Sequence, residues 1–356
     1  MDIIEHMERY DYEQVVFCSD KGAGLKAIIA IHDTTLGPAL GGTRMWPYSS
    51  EEEALVDVLR LARAMTYKNA AAGLNLGGGK AVVIGDPAKD KSEALFRSLG
   101  RFVQSLGGRY ITTEDVGTSV RDMQFVRAET SFVTGLPLSW GSSGDPSPVT
   151  AFGVLQAMKA CAGEVYGSDS LEGRRVAIQG VGKVGHALAR VLHEEKAALV
   201  VSDTREEAAR VVRGEVGAAV LPPDEIYDAE CDIFSPCALG AVLNDDIIPR
   251  LKCRIIAGAA NNQLAEERHC QELARRGILY APDFVVSAGG VINLSFELIC
   301  YDAEASRAKT AEIYDTVKRI IATAKAEGIT TAEAANHLAE DRLRGARGVK
   351  GLYLRR

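Results

Sequence analysis

The sequence predicts an α/β protein of two domains, an N-terminal α/β unit followed by a doubly wound parallel sheet. Three observations carry that expectation. The chain has 356 residues, 47% of them apolar and 25% charged, an ordinary globular composition at the length of two domains of roughly 150 residues each. From Val176 onward, strand-like and helix-like segments alternate regularly. A glycine-rich run, Gly180, Val181, Gly182, Lys183, Val184 and Gly185, stands between the first of those strands and the helix after it, the place of the phosphate-binding turn in a Rossmann sheet.

Taken in chain order, residues 14–18 and 25–31 read as strands and residues 51–69 as a long helix. Ser50 with Glu53 forms a capping box at its start, and Glu51, Glu52 and Glu53 complement the helix dipole. Leu55, Val58, Leu59, Ala62 and Met65 recur at helical spacing and define its core face, which Lys68 continues. Residues 82–84 and 109–112 read as strands on either side of a helix at 92–105. The densest Gly/Ser/Pro cluster, Gly141-Ser-Ser-Gly-Asp-Pro-Ser-Pro148, reads as a linker or hinge. It sets the expected domains at 1–140 and 141–327, with a helical segment at about 328–356 returning to the first.

In the second domain, six strands are expected at 176–179, 199–202, 218–220, 232–235, 254–257 and 278–280. Helices at 183–195 and 205–213, and helix-length segments elsewhere, separate them. Such alternation argues a parallel sheet covered on both faces. Beyond Gly289 and Gly290 the pattern is helical at 305–326 and 331–343, with Thr331 as a cap.

Lys and Arg total 41 against 48 Asp and Glu, a net charge of −7, and basic residues concentrate only at the last few positions. That disfavours a nucleic-acid or anionic-membrane surface. The first nine residues carry acids where a signal peptide has a basic region, and no apolar stretch approaches the roughly 20 residues a membrane helix needs. A cytoplasmic protein is expected. Seven scattered cysteines with no C-x-x-C read as buried or neutral thiols, and His186 and His193 find no third ligand nearby, so no metal is expected.

In the glycine run, Gly180 makes the tight turn, Gly182 lets backbone approach a pyrophosphate, and Gly185 allows helix to pack closely on strand. The helix N-terminus supplies amides to the phosphates. Asp203, at the end of the next strand, is placed to accept the adenosine ribose hydroxyls, which favours NAD over NADP. Arg205 works the other way, since arginine accepts a 2′-phosphate. The bland alternative is a glycine-rich turn with a surface aspartate as helix cap.

Gly77, Gly78, Gly79 and Lys80 invite a P-loop reading that fails, because Leu74 and Ala81 stand where that motif needs Gly and Ser or Thr, and Lys80 leads into a strand. Backbone crowding around Lys80 disfavours an ammonium and so suits acid/base chemistry. Lys68 would converge on the same cleft, and Asp115, just beyond the strand at 109–112, is the carboxylate expected beside two cations. Each lysine taken alone reads more readily as a solvated or snorkelling surface charge.

Five motifs change that balance: Thr35-Leu-Gly-Pro-Ala-Leu-Gly-Gly-Thr-Arg44, Met65-Thr-Tyr-Lys68-Asn-Ala, Gly77-Gly-Gly-Lys80, Glu114-Asp115-Val-Gly and Gly258-Ala-Ala-Asn-Asn262. In this order they span nearly the whole chain and resemble the glutamate/leucine/phenylalanine/valine dehydrogenase family, nearest its leucine-specific members. The resemblance implies two domains with a cleft between them, and reversible NAD-linked oxidative deamination of an L-amino acid to a 2-oxo acid and ammonium. Carried over by motif, Lys68 would bind the substrate carboxylate and Lys80 would be the general base. Asp115 would exchange protons with the substrate nitrogen. Gly41, Gly42, Met65 and Asn262 would line the substrate. Thr150 and Asn261 would meet the cofactor together with Gly180 to Gly185 and Asp203. The family also implies a homo-oligomer, from dimer to octamer.

For the side-chain pocket the resemblance points to Leu40, Thr113, Val291 and Leu294. Thr113 stands where the leucine-specific pattern has alanine and Leu294 where it has valine, so the pocket should be slightly shortened. Leu40 and Val291 offer no charge to a second carboxylate, which argues against glutamate. The expectation is a branched-chain aliphatic substrate: leucine, valine or isoleucine. A phenylalanine-type dehydrogenase is the alternative within the family. A catalytically silent NAD-binding regulator is the alternative outside it, and intact Lys68, Lys80 and Asp115 weigh against that.

Overall fold

The computed structural model describes residues 2–238 and 240–347. The chain divides into two compact units, one of Met1–Asp145 with Leu294–Tyr301 and the chain from Ala339, the other of Pro146–Asn293 with Asp302–Leu338. This differs from the expected division in three places, each with a physical reason. Ser142 and Ser143 stay with the first unit, because their hydroxyls and the Ser143 and Gly135 amides all donate to the Glu297 carboxylate. The same contacts hold residues 294–301 there. The last helix is shared: Thr331 donates to the Tyr280 carbonyl (2.6 Å) in the second unit, whereas Arg342 donates to the Ala70 and Leu74 carbonyls in the first. The end of the segment expected at 328–356 lies outside the described residues.

The first unit opens with α1 (Ile3–Tyr10), unread in the sequence, whose start is capped by Asp2 accepting from the Ile4 and Glu5 amides. β1 (Gln14–Asp20) and β2 (Leu25–Asp33) form an antiparallel pair in register from Gln14 with Ile31 to Asp20 with Leu25. Then come β3 (Ala39–Leu40), β4 (Thr43–Trp46), α2 (Glu51–Ala71), β5 (Gly77–Ile84), α3 (Glu93–Ser105), β6 (Tyr110–Ile111) and α4 (Val120–Arg127). The sheet runs β1-β2-β5-β3-β6, with β4 also on β5. One face, through Ile28, Ala30 and Val82, packs on Ala54, Leu55, Val58, Leu59 and Ala62 of α2. The other, through Ile29, Ile31, Ala81 and Val83, packs on Leu95, Phe96, Leu99 and Val103 of α3. Burying both faces explains why β5 reads as an unbroken apolar run rather than an alternating one.

β5 begins at Gly77, not at residue 82. Glycine is a poor strand former, yet three are needed here because neighbours fill the side-chain positions. A Cβ on Gly77 would lie 2.0 Å from the Asp33 carbonyl oxygen, one on Gly78 2.1 Å from the Thr66 amide, and one on Gly79 2.8 Å from the Tyr110 ring.

The second unit contains α5 (Ser147–Tyr166), β7 (Arg175–Gln179), α6 (Lys183–Glu194), β8 (Ala198–Ser202), α7 (Glu206–Val216), β9 (Ala219–Val220), β10 (Ile233–Pro236), β11 (Ile255–Ile256), α8 (Arg268–Arg275), β12 (Leu279–Tyr280) and α9 (Asp283–Val286). α10 (Gly289–Phe296), α11 (Ala303–Ala311), α12 (Ile313–Glu327) and α13 (Thr331–Arg347) follow. All six expected strands are present and parallel, in the order β12-β11-β10-β7-β8-β9. That is the Rossmann order, with its switch point between β7 and β10.

Candidate active site

In the first unit the site is built on one interrupted strand. Ala39 and Leu40 pair with Gly77 and Gly78, and Thr43 to Trp46 with Ala81 to Ile84, so a single register runs through the break at Gly41 and Gly42. On the other side Ala39 and Leu40 pair with Tyr110 and Ile111, and Thr43 bridges Glu114. One step further along that register brings Arg44 beside Asp115, and Lys80 lies on β5 across from the break. The glycines at the break answer to crowding. A Cβ on Gly41 would lie 1.9 Å from the Gly79 carbonyl oxygen, and one on Gly42 2.8 Å from Asp115 Cβ.

Lys80 projects to the α2 face of β5, in step with Gly78 and Val82. Its side chain is 7% exposed, and Nζ sits 2.9 Å from Asp115 Oδ2. Burial pushes the Asp115 carboxyl up, but Lys80 and then Arg44 outweigh it and hold the group below the ordinary carboxylate range. The turn carrying Asp115 is pinned by Thr118, which accepts from the Asp115 amide (2.9 Å) and lies 2.8 Å from the Thr43 carbonyl. Gly117, at φ +79°, lets this turn close on β4. α2 carries Met65 and Lys68, both half-buried, and Asn69 Nδ2 fastens its end to the Gly77 carbonyl (2.6 Å). Leu40 is fully buried. A Cβ on Gly135 would lie 2.6 Å from Thr113 Oγ1 and 3.6 Å from Leu294 Cδ2, so both side chains border that glycine. Among the described residues, the Thr113 hydroxyl is buried without a hydrogen-bond partner.

In the second unit, Gly180 sits at φ +92°, where a Cβ would strike Ala238 at 2.6 Å, and a Cβ on Gly185 would lie 2.0 Å from the Gly180 carbonyl oxygen. Among the described residues a Cβ on Gly182 would meet nothing within 4 Å, so they leave backbone at the start of α6 open to an approaching group. Lys183 is exposed and Val184 half-buried beside it. Asp203 Oδ2 accepts from the Val181 amide and Oδ1 from the Arg205 amide, both at 2.8 Å, while Arg205 Nε stands 3.6 Å from Oδ1. Asp203 therefore braces the glycine turn, a role beyond its expected one. Asn262 adopts a left-handed φ of +52°, and Gln263 Nε2 stitches its loop through the Gly258 and Ala260 carbonyls. Thr150 Oγ1 donates to the Pro146 carbonyl (3.0 Å), and Val291 is buried on α10. Open amides at a helix N-terminus with an acid ending the next strand fit a dinucleotide. Among the described residues, Asp245, Glu266 and His269 converge as metal ligands would, and Arg268 already bridges the two carboxylates.

A family model described as Glu/Leu/Phe/Val dehydrogenase, dimerisation domain, matches residues 12–132, and one described as Glutamate/Leucine/Phenylalanine/Valine dehydrogenase matches 141–207 and 201–351. The chain belongs to the Glu/Leu/Phe/Val dehydrogenase family. It is 58% identical over 355 residues to a leucine dehydrogenase of Bacillus cereus, covering 100% of this chain and 97% of that one. A phenylalanine dehydrogenase of Bacillus thermotolerans is 50% identical over 348 residues, 96% of this chain and 91% of the relative. The crystal structure of L-tryptophan dehydrogenase from Nostoc punctiforme superposes with a TM-score of 0.84 at 47% identity, covering 97% and 99% of the two chains. As a member of this family the protein is an amino acid dehydrogenase working with a nicotinamide cofactor.

Within the family frame, the first unit brings Leu40 and Lys80 on adjacent strands together with Gly41 and Gly42 in the break and Thr113 and Asp115 just beyond β6, and carries Met65 and Lys68 on α2. Asn261, Asn262, Thr150 and Val291 belong to the second unit with the glycine turn. Sequence reasoning missed Arg44, Asp57 and Tyr48, which join Asp115 in one hydrogen-bonded chain. Arg44 stood two residues beyond Gly42 in the motif, but nothing in the sequence announced the register that aims it at Asp115.

Proposed function

We propose that this chain catalyses the reversible, NAD-linked oxidative deamination of branched-chain aliphatic L-amino acids (leucine, valine and isoleucine) to 2-oxo acids and ammonium. The observation that carries the reading is the pairing of buried Lys80 on β5 with Asp115 on the turn beyond β6, 2.9 Å apart, in a family of amino acid dehydrogenases. The nicotinamide, when bound, accepts a hydride from the substrate α-carbon. Lys68 holds the substrate carboxylate, a charge-assisted contact of about 1.5 to 3 kcal/mol. Lys80, as the free amine, takes a proton from the water that adds to the imino carbon. Asp115 exchanges protons with the substrate nitrogen as it departs. Gly41 and Gly42 let backbone approach the substrate, and Asn262 helps position it. Thr150, Asn261 and the turn from Gly180 to Gly185 hold the cofactor, with Asp203 at the adenosine ribose. The gain comes from placement and from excluding water around the reacting atoms.

Leu40 and Val291 are buried and uncharged, so the second carboxylate of glutamate would lack a partner at a cost of several kcal/mol. Thr113 and Leu294 add bulk, and overfilling an apolar pocket costs about 1 to 3 kcal/mol. Steady-state rates across leucine, valine, isoleucine, phenylalanine and glutamate test this. The branched acids should be best, valine and isoleucine gaining on leucine, with phenylalanine and glutamate poor. Phenylalanine outrunning leucine would contradict it. Repeating the leucine assay with NADP should cut kcat/KM at least about tenfold, since a 2′-phosphate meets the Asp203 carboxylate; equal efficiencies would give control of that pocket to Arg205. The seven free thiols suit the reducing cytoplasm, and no described helix is long and apolar enough to cross a membrane. The dimerisation-domain match supports a homo-oligomer.

A further inference from the structure

We infer that Arg44 is a positioning residue for Asp115, the middle of a charged chain that runs from α2 through β4 and fixes the carboxylate for proton transfer. This rests on the reading of Asp115 as the group that exchanges protons with substrate. Arg44 Nε lies 3.1 Å from Asp115 Oδ2, the same oxygen that meets Lys80 Nζ at 2.9 Å. Oδ1 is thereby the oxygen outside both ion pairs. The other arm of the guanidinium reaches Asp57 Oδ2 on α2 at 3.0 Å, and the Tyr48 hydroxyl donates to that same oxygen at 2.7 Å. Arg60 holds Asp57 Oδ1 at 3.1 Å. The guanidinium is thus gripped at both ends, a geometry that a planar fork satisfies and a single ammonium does not.

The chemistry gives this cation a task Lys80 cannot perform. A general base must shed its proton before it acts, and when Lys80 is neutral the Asp115 carboxylate loses one of its two partners. Arginine stays charged throughout. Arg44 therefore keeps the carboxylate ionised and oriented through the part of the cycle in which Lys80 carries no charge. The charged and titratable groups around Asp115 are Lys80 on β5, Arg44 on β4, Tyr110 on β6, Asp57 on α2 behind Arg44, and Tyr48 ahead of that helix. Among them Arg44 is the cation that pairs with Asp115 and does not titrate.

The test is the pH profile of kcat for leucine oxidation in Arg44→Met, Arg44→Lys and Asp115→Asn, each with the KM for NAD. Arg44→Met should lower kcat at neutral pH about tenfold to a hundredfold, leave the KM for NAD unchanged, and move the acid limb up by about one pH unit, because a cation has left the Lys80–Asp115 pair. Arg44→Lys restores the charge but spans only one carboxylate, so its limb should return close to the wild-type position while kcat stays low. An unmoved limb in Arg44→Met, or wild-type kcat in Arg44→Lys, would overturn the proposal; the second variant decides the matter if the first does not fold. Asp115→Asn separates the two readings. Inactivity there with an unmoved Arg44→Met limb overturns Arg44 alone, and retained turnover removes the Asp115 reading and this inference together.

Discussion

Replacing Lys80 by alanine is expected to lower kcat for amino acid oxidation by about a hundredfold to ten-thousandfold, the range a positioned general base supplies, while the dissociation constant for NAD stays where it was. The asymmetry follows from the fold. Lys80 sits on β5 of the first unit, whereas the turn from Gly180 to Gly185 and Asp203 belong to the second. The loss has two parts. The amine proposed to deprotonate water is gone, and Asp115, 22% exposed and held below its ordinary range against burial by Lys80 and then by Arg44, keeps only the latter cation. Stopped-flow or steady-state rates with cofactor titration on the same preparation measure both. A variant retaining more than about a tenth of the wild-type rate, which is worth only about 1.4 kcal/mol, would show that another group takes the proton.

The second large effect separates folding from cofactor binding by one methyl group placed in two glycine runs. Gly78→Ala puts a Cβ 2.1 Å from the Thr66 amide and 2.6 Å from the Ala62 carbonyl oxygen, both backbone atoms of α2. Backbone cannot swing aside as a flexible side chain does, so the helix must move off the strand. Overpacking of this kind costs about 3 kcal/mol or more, and the thermal midpoint should fall by about 6 to 12 °C. Gly182→Ala meets nothing within 4 Å among the described residues and should leave the midpoint unchanged, while NAD affinity drops because the methyl stands where backbone is expected to approach the pyrophosphate. Thermal melts with and without NAD check both. Equal midpoints for wild type and Gly78→Ala would mean that α2 does not press on β5 as described.

How much of this was legible in the sequence depended on whether the signal was local. The cap at Ser50 is local, and the face from Leu55 to Ala62 and the alternation beyond Val176 are periodic; these elements formed where the pattern put them to within a few residues, although Glu53 reaches back to Ser49 rather than Ser50. The start of β5 was not legible, because three glycines argue against a strand until the Asp33 carbonyl, the Thr66 amide and the Tyr110 ring are seen filling their side-chain positions. β3 and β4 escaped notice for a related reason, since Gly41 and Gly42 cut one register into two short pieces. Lys80, Asp115 and the glycine turn were singled out by motif. Arg44 and Asp57 act through strand register and a helix turn, both set only on folding, so their alliance with Asp115 was invisible. The Glu297 carboxylate, which gathers Gly135, Ser142 and Ser143, lay equally far from any local pattern and shifted the domain boundary.

The most direct test of the central claim is the near-ultraviolet absorbance of reduced nicotinamide after the purified protein is mixed with NAD and L-leucine at alkaline pH. A steady rise that needs both reactants, with 2-oxo acid and ammonium formed in equal amounts, is the predicted result. An unchanged absorbance with leucine, valine and isoleucine, from protein that binds NAD, would contradict it and leave a cofactor-binding chain without this chemistry.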